Sequence, residues 1–378
     1  MLIGLNEVGR ASDLHQALPQ ASAHAERGIR EGLHKGMQMY VSRAGRVIAD
    51  GGIGESRDGV PMTADTLNLW VSAGKPLTAV AVMRLVEAGR VGLDEPVAAF
   101  IPPFADHGKE RVTVKHLLTH TAGLRSVVTG WPNDAGKEIV ARICRTRLRD
   151  GWAPGQRAAY DRDNSWFILG EIVRRLEGRP IDEVVRDDLM RPLGMRDSWM
   201  AMPPDVLAAY GDRFGHVWAY KPSGLKLMRS HDPLVAAAPS PGATCRGPIR
   251  ELGFFYEMLL NHGRRNNVRI LRPDTVALMT RRHREGLFDE TFEHTIDFGL
   301  GLIIDSNRYG ADTVPYGFGK HCSPQAFGHG GARSSIGFAD PKYGLVVTAV
   351  ANGCPPEPIH NDRFRRLVTF LYEDLGLC

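Results

Sequence analysis

The stretch "MTADTLNLWVSAGKPLTAVAVMRLVEAG" (62–89) decides how the chain is read. Its second half has helical periodicity up to Gly89, and Pro76 falls early in the helix, where a missing N–H costs little. Ser72 and Lys75 stand at the helix head, and a spacing of three puts both side chains on one face. The helix that follows is largely apolar and so should be buried. A lysine there is costly unless it is paired or its pKa is lowered. A neutral lysine can take a serine proton, which is what a hydroxyl nucleophile needs, and the helix N-terminus favours a developing oxyanion. The same residues also read as an N-cap serine beside a snorkelling lysine. Spacing alone is weak, because Ser223-Gly-Leu-Lys226 repeats it inside "KPSGLK". That second copy sits in a Pro/Gly turn with no apolar helix after it and reads as surface loop.

Upstream, residues 20–34 read as a helix ended near Gly36. "GMQMYVSRAGRVIADGGIG" (36–54) then reads as two strands joined by a turn at Ala44-Gly45. Downstream, 91–240 is mainly helices and irregular loops: "TVKHLLTHTAGL" (113–124) is a short helix stopped by Gly123, followed by "NSWFILGEIVRRLEG" (164–178) and "PIDEVVRDDLMRPLG" (180–194). "RGPIRELGFFYEMLLNHG" (246–263) starts a return to the sheet. "FGLGLIIDS" (298–306), "SSIGFAD" (334–340) and "YGLVVTAVAN" (343–352) read as strands, and an amphipathic helix over 361–376 closes the chain. Too few βαβ units occur for a doubly wound fold. The expectation is α+β: an antiparallel sheet flanked by terminal helices, plus a mainly helical region. One unit spans 1–378, with 20–90 and 240–378 forming the sheet region and 91–239 the helical region.

Composition excludes several classes. The 378 residues are 43% hydrophobic and 24% charged, with a net charge of +4, as in an ordinary globular protein. The Arg-rich "ARICRTRLRD" (141–150) reads as a solvated helix face, and no nucleic-acid module accompanies it. Five cysteines, an odd number without metal-ligand spacing, predict a reduced, cytoplasmic protein. The opening "MLIGLNEVGRASDLHQ" lacks the features of a signal peptide, and no apolar run is long enough for a membrane span. His116 and His120 are four apart, but no acidic partner follows in the zinc-protease manner, so no metal or other cofactor is expected.

Further segments appear in a telling order: "LVEAGRVGLDEPVAAFIP" (85–102), "VTVKHLLTHTAGL" (112–124), "APG" (153–155), "PLGMRDS" (192–198) and "FGHGGARSSIGFADPKYGLVVTAVANG" (327–353). With Ser72-Ala-Gly-Lys75 they resemble, over roughly 25–370, the superfamily of class C beta-lactamases, DD-peptidases and family VIII-type serine esterases. The resemblance implies Ser72 as nucleophile with Lys75 as proton-transfer partner. It implies Tyr160, in "PGQRAAYDRDNSWFILG" (154–170), as the family's tyrosine, a tyrosinate beside a lysine acting as base. The family's Tyr-x-Asn is missing and the segment is one residue longer than usual. Asn164 is the candidate substitute for the amide, and Asp161 and Asp163 are further polar candidates.

His329-Gly330-Gly331 stands where beta-lactamases have Lys-Thr-Gly. The glycines let substrate approach closely, His329 can donate to substrate or to Tyr160, and the Ala332 N–H would share an oxyanion hole with that of Ser72. Losing the fixed lysine charge counts against recognising a beta-lactam carboxylate, unless Arg333 restores it. Gly247-Pro248 and Arg250-Glu251 depart from the family's helix start, which suggests a specialised substrate. Trp131 and Trp152 would line an acyl pocket or fill a core. The expected reaction is ester cleavage through a Ser72 acyl-enzyme on a small-molecule ester or amide. Alternatives are a transacylase, an amidase or D-peptidase using the same intermediate, and a non-catalytic ligand-binding relative. Nothing in the sequence settles the oligomeric state.

Overall fold

A computed structural model describes residues 13–378. Its centre is a seven-stranded antiparallel sheet in the order Ile303–Ile304, Phe327–Gly331, Ser335–Asp340, Leu345–Ala351, Gly36–Arg43, Arg46–Arg57, Val60–Pro61. The hairpin at Ala44-Gly45 forms as expected, with both residues at positive φ. The two ends of the chain meet mid-sheet, where Tyr40 faces Thr348. Strand Leu345–Ala351 is buried throughout, because helices cover both faces of the sheet.

Helices Pro19–Arg30 and Glu357–Asp374 pack together on one face. Asp374 accepts from the Gln20 and Ala21 N–H groups (3.1 and 3.0 Å), carboxylate contacts at a helix start. Helix Ile249–Leu260 covers the other face, and its Gly253 is required there: a Cβ would meet the Tyr40 ring at 2.4 Å. The helical region holds Val114–Leu118, Gly136–Cys144, Asn164–Glu177, Ile181–Val185 and Pro204–Tyr210. Between it and the sheet runs helix Lys75–Glu87, buried without a break from Lys75 to Met83. Apolar on all faces from Leu77 to Met83 except for Thr78, this stretch has no polar face to give to solvent. No helix among the described residues is long and apolar enough to cross a membrane.

Two local expectations fail. Only Ile303–Ile304 of "FGLGLIIDS" is strand. Gly301, at φ 73°, brings the backbone against the central helix, where a Cβ would strike that of Ala79 at 2.4 Å. The helix in "TVKHLLTHTAGL" ends after Leu118 rather than at Gly123, because other segments capture its carbonyls: Gly301 N–H donates to Leu118 O and Ala159 N–H to His120 O. His120 itself is left-handed, at φ 56°.

Candidate active site

Ser72 lies in a short 3₁₀ turn, Val71–Gly74, that runs into the buried helix. Val71 has φ 51°, a strained value for a β-branched residue, costing on the order of 1–3 kcal/mol. Contacts on both sides over-determine it. Trp70 N–H donates to Cys245 O (2.9 Å), its indole donates to Gly247 O (3.0 Å), and Ser335 Oγ donates to Trp70 O (2.6 Å). Gly74 packs on Cys245, where a Cβ would lie 2.5 Å from the cysteine Cβ.

Lys75 is fully buried. As an ammonium, its Nζ donates to Ser72 Oγ (2.9 Å), Arg162 O (2.8 Å) and Gly242 O (2.7 Å). Burial lowers its pKa to about 8, against the opposing pull of Asp163 and Asp161. The two carbonyls match the two N–H groups of a neutral amine, which leaves the nitrogen lone pair for the Ser72 hydroxyl. The snorkelling alternative does not hold, since no part of Lys75 reaches solvent.

Tyr160 lies beside this pair, its ring centroid 5.5 Å from Lys75 Nζ. Its main-chain N–H donates to Asp289 Oδ1 (3.0 Å), which also takes the N–H groups of Thr291 and Phe292 (2.9 and 3.1 Å). Asp289 is buried and its Oδ2 lies 3.0 Å from Arg284, also buried. Burial pushes the Tyr160 phenol up, and the neighbouring Ser72 hydroxyl only partly offsets this. Burial thus favours the neutral phenol over the tyrosinate that the resemblance implies, while it moves Lys75 toward the working range of a base.

The longer segment after Tyr160 resolves the missing amide. Arg162, two residues on, presents its main-chain carbonyl to Lys75. Asn164 lines the cavity but does not touch the lysine; its Nδ2 donates to Arg125 O (2.7 Å). Asp161 is occupied in capping the helix Asn164–Glu177, accepting from the N–H groups of Asp163, Asn164 and Ser165.

The strand Phe327–Gly331 forms the opposite side. A Cβ on Gly331 would meet Trp70 O at 2.2 Å, so this glycine lets the strand close on the nucleophile turn. Among the described residues, neither the Ser72 nor the Ala332 N–H donates to a carbonyl, which leaves both for an oxyanion. His329 is buried, and burial followed by the Lys75 charge lowers its pKa to about 3. Its Nδ1–H donates to Gly330 O (2.7 Å), so Nε2 carries a lone pair. The expected hydrogen-bond donor is thus an acceptor, and it has no partner in the protein. Arg333 is exposed and outside the cavity lining, so it restores no charge inside.

These groups open onto a cavity of about 580 Å³ lined by Ser72, Tyr160, Asn164, His329, Gly330 and Ala332 together with residues of both regions. Trp152 lies outside it: its indole donates to Thr121 O (3.0 Å) and the guanidiniums of Arg149 and Arg157 flank its ring. Trp131 packs against the core and donates to Ala238 O (3.2 Å). Arg250 pairs with Asp50 and Asp65, while Glu251 accepts from Asp197 N–H and Ser198 Oγ. These departures at the helix start serve packing and do not line the cavity.

Ser223 and Lys226 are both exposed, the first in a turn and the second opening the short strand Lys226–Leu227. His116 closes a capping box with Thr113, and no cluster suited to a metal ion occurs among the described residues. All five cysteines are free thiols.

Asp289, Arg284 and Gly242, near the site, went unread in the sequence, and His120 was weighed there only as half of a metal pair. His120 accepts the Asp161 N–H on Nδ1 (3.0 Å), and its ring lies 4.5 Å from that of Tyr160. None stands in a local pattern; only the conspicuous "THTAGL" pointed near one of them.

Comparison with known proteins agrees with this geometry. The family model described as Beta-lactamase matches residues 23–370. The chain is 29% identical over 361 residues to "Esterase EstB" of Burkholderia gladioli, covering 86% of this chain and 88% of that one. It is 27% identical over 318 residues to "Esterase/beta-lactamase LipL" of Mycobacterium tuberculosis, covering 78% and 71%. A penicillin-binding protein homologue from Caulobacter crescentus superposes with a TM-score of 0.78 at 25% identity, covering 97% of this chain and 99% of that one. The match runs through the Ser72 turn, the Tyr160 segment and the His329 strand alike, and the chain belongs to the beta-lactamase family.

Proposed function

We propose that this protein is a serine acyl-transfer hydrolase of esterase type. The observation that carries the reading is Lys75: fully buried, its Nζ 2.9 Å from Ser72 Oγ, with two carbonyls placed to take both N–H groups of the neutral amine. Neutral Lys75 takes the Ser72 proton as Oγ attacks the carbonyl carbon. The Ser72 and Ala332 N–H groups hold the oxyanion. The proton then passes to the departing oxygen by way of Lys75 and the Tyr160 phenol, giving the alcohol and an acyl-serine. Water repeats the sequence in reverse and releases the acid.

An ester fits better than a substrate recognised by its carboxylate. His329 is neutral at the third motif and Arg333 lies outside the cavity, so this strand offers an acid no fixed charge. A fluorophosphonate probe and p-nitrophenyl butyrate test the reading. Labelling confined to Ser72 with turnover of the ester is expected. No label and no turnover would reduce the cavity to a ligand-binding site.

A further inference from the structure

The cavity has two unlike sides. On the helical side, Arg149 and Arg162 are interleaved with Asp161 and Asp163, so charges of both signs line it. On the other side the lining residues are Thr291, Phe292, Glu293, Tyr316, Glu357 and Asn361, with prolines between, and no basic side chain lines it. Neither Glu293 nor Glu357 is in an ion pair among the described residues. Aromatic rings join this side to the reaction centre: Tyr160 to Phe292 at 4.6 Å, then Phe292 to Tyr316 at 5.6 Å. Tyr316 is wedged over Gly330, where a Cβ would meet its ring at 2.2 Å, and its hydroxyl donates to Glu357 Oε2 (2.6 Å). That contact turns the ring so that its oxygen end is committed to the carboxylate.

A second, independent feature points to a ligand here. His329 is 1% exposed, lines the cavity, and presents a bare Nε2 lone pair without a partner. Apart from the Asn361 amide and the Thr291 hydroxyl, which donates to Tyr160 O, the polar groups of this side are carboxylates, ring faces and a lone pair. Lys75 offers this side no free donor, because its N–H groups are directed to Arg162 O, Gly242 O and Ser72 Oγ.

Resting on the acyl-enzyme reading above, we infer that this side is the leaving-group and acceptor subsite and that it takes an alcohol or amine bearing a positive charge. The leaving atom must lie beside its proton donor, and the aromatic wall starts at Tyr160. The charge rests on the faces of Phe292 and Tyr316 with Glu293 and Glu357 beyond. In acylation the bond from the acyl carbon to the leaving oxygen breaks as the Ser72 Oγ bond forms. The serine proton ends on that oxygen, and the new O–H donates to His329 Nε2. In transfer, the acceptor's O–H or N–H takes the same place and loses its proton by the reverse path.

Two esters of one shape test this: 2-(trimethylammonio)ethyl butyrate and its neutral carbon analogue, 3,3-dimethylbutyl butyrate. The cationic ester is expected to show about tenfold higher kcat/KM at low salt, a ratio that shrinks as salt is raised. Glu357→Gln and Glu293→Gln, checked for unchanged melting, should each lower the ratio about threefold or more. Choline should inhibit p-nitrophenyl butyrate hydrolysis competitively. A ratio of one or less in the unsubstituted protein, or substitutions that slow both esters equally, would overturn the inference. So would turnover of p-nitrophenyl butyrate with neither matched ester cleaved. If Ser72 takes no label and p-nitrophenyl butyrate is not cleaved, the acyl-enzyme reading itself fails.

Discussion

The turn at 70–75 and the segment at 160–164 face each other across Lys75, yet they are built in opposite ways. In the first, two reacting side chains lie three residues apart at a helix head, so local geometry alone puts them on one face. In the second, every useful contact is long-range: Tyr160 N–H to Asp289, Arg162 O to Lys75, Asn164 Nδ2 to Arg125 O. The difference teaches that a site can keep a function while changing the residue that performs it, provided the substitute is main chain. A carbonyl at Arg162 accepts from the lysine as an amide side chain would, and no side-chain pattern records it.

The sharpest test of the local half is Ser72→Ala. It should abolish probe labelling and lower turnover of p-nitrophenyl butyrate by at least ~10³-fold, measured by mass spectrometry and initial rates. Lys75→Met should cost about 10²–10⁴-fold in kcat/KM. In the unsubstituted protein, kcat/KM should fall as pH drops through about 8, because the lysine binds a proton below its lowered pKa and loses the lone pair. That limb should vanish in Lys75→Met.

Tyr160→Phe divides the roles of the two segments. With Lys75 as base, the variant loses about 10²-fold but keeps the limb near pH 8. Disappearance of the limb in this variant alone would hand the base role to the tyrosine and break the contrast drawn above. Asp289→Ala tests the long-range half. It removes the acceptor of three N–H groups and strands buried Arg284, so stability should fall by about 3–5 kcal/mol in urea unfolding. The smallest effect belongs to Arg162→Ala. The carbonyl remains, so kcat/KM for a neutral ester should change by less than about threefold. A large loss would show that the guanidinium, not the main chain, matters to the lysine.

The sheet was legible to different depths along the chain. The hairpin at Ala44-Gly45 and the strands "SSIGFAD" and "YGLVVTAVAN" stand where their patterns put them, since turn chemistry and apolar runs are local signals. "FGLGLIIDS" misled because its glycines serve close packing on Ala79, which a strand pattern does not reveal. Trp152 misled for a similar reason: an indole meant for a pocket and one meant for a core look alike in sequence. At the third motif, the residue types were right and the polarity was reversed. His329 can donate or accept, and only the Gly330 carbonyl on its Nδ1 decides which.

By itself, the sequence determined the α+β class and the antiparallel sheet built from both ends, because these rest on periodicity, and it offered the Ser72–Lys75 pair through spacing joined to the family resemblance. Only the tertiary structure decided the rest. It chose Arg162 O over Asn164 for the lysine, pushed the Tyr160 phenol toward its neutral form, set His329 as an acceptor, and gave the cavity one side of mixed charge and one whose charged side chains are carboxylates. Those outcomes depend on burial and on main-chain and buried partners that no local pattern records, some more than a hundred residues away, as between Tyr160 and Asp289 or Lys75 and Gly242. Desolvation and hydrogen-bond polarity are properties of the assembled interior, and they arise only once the segments meet.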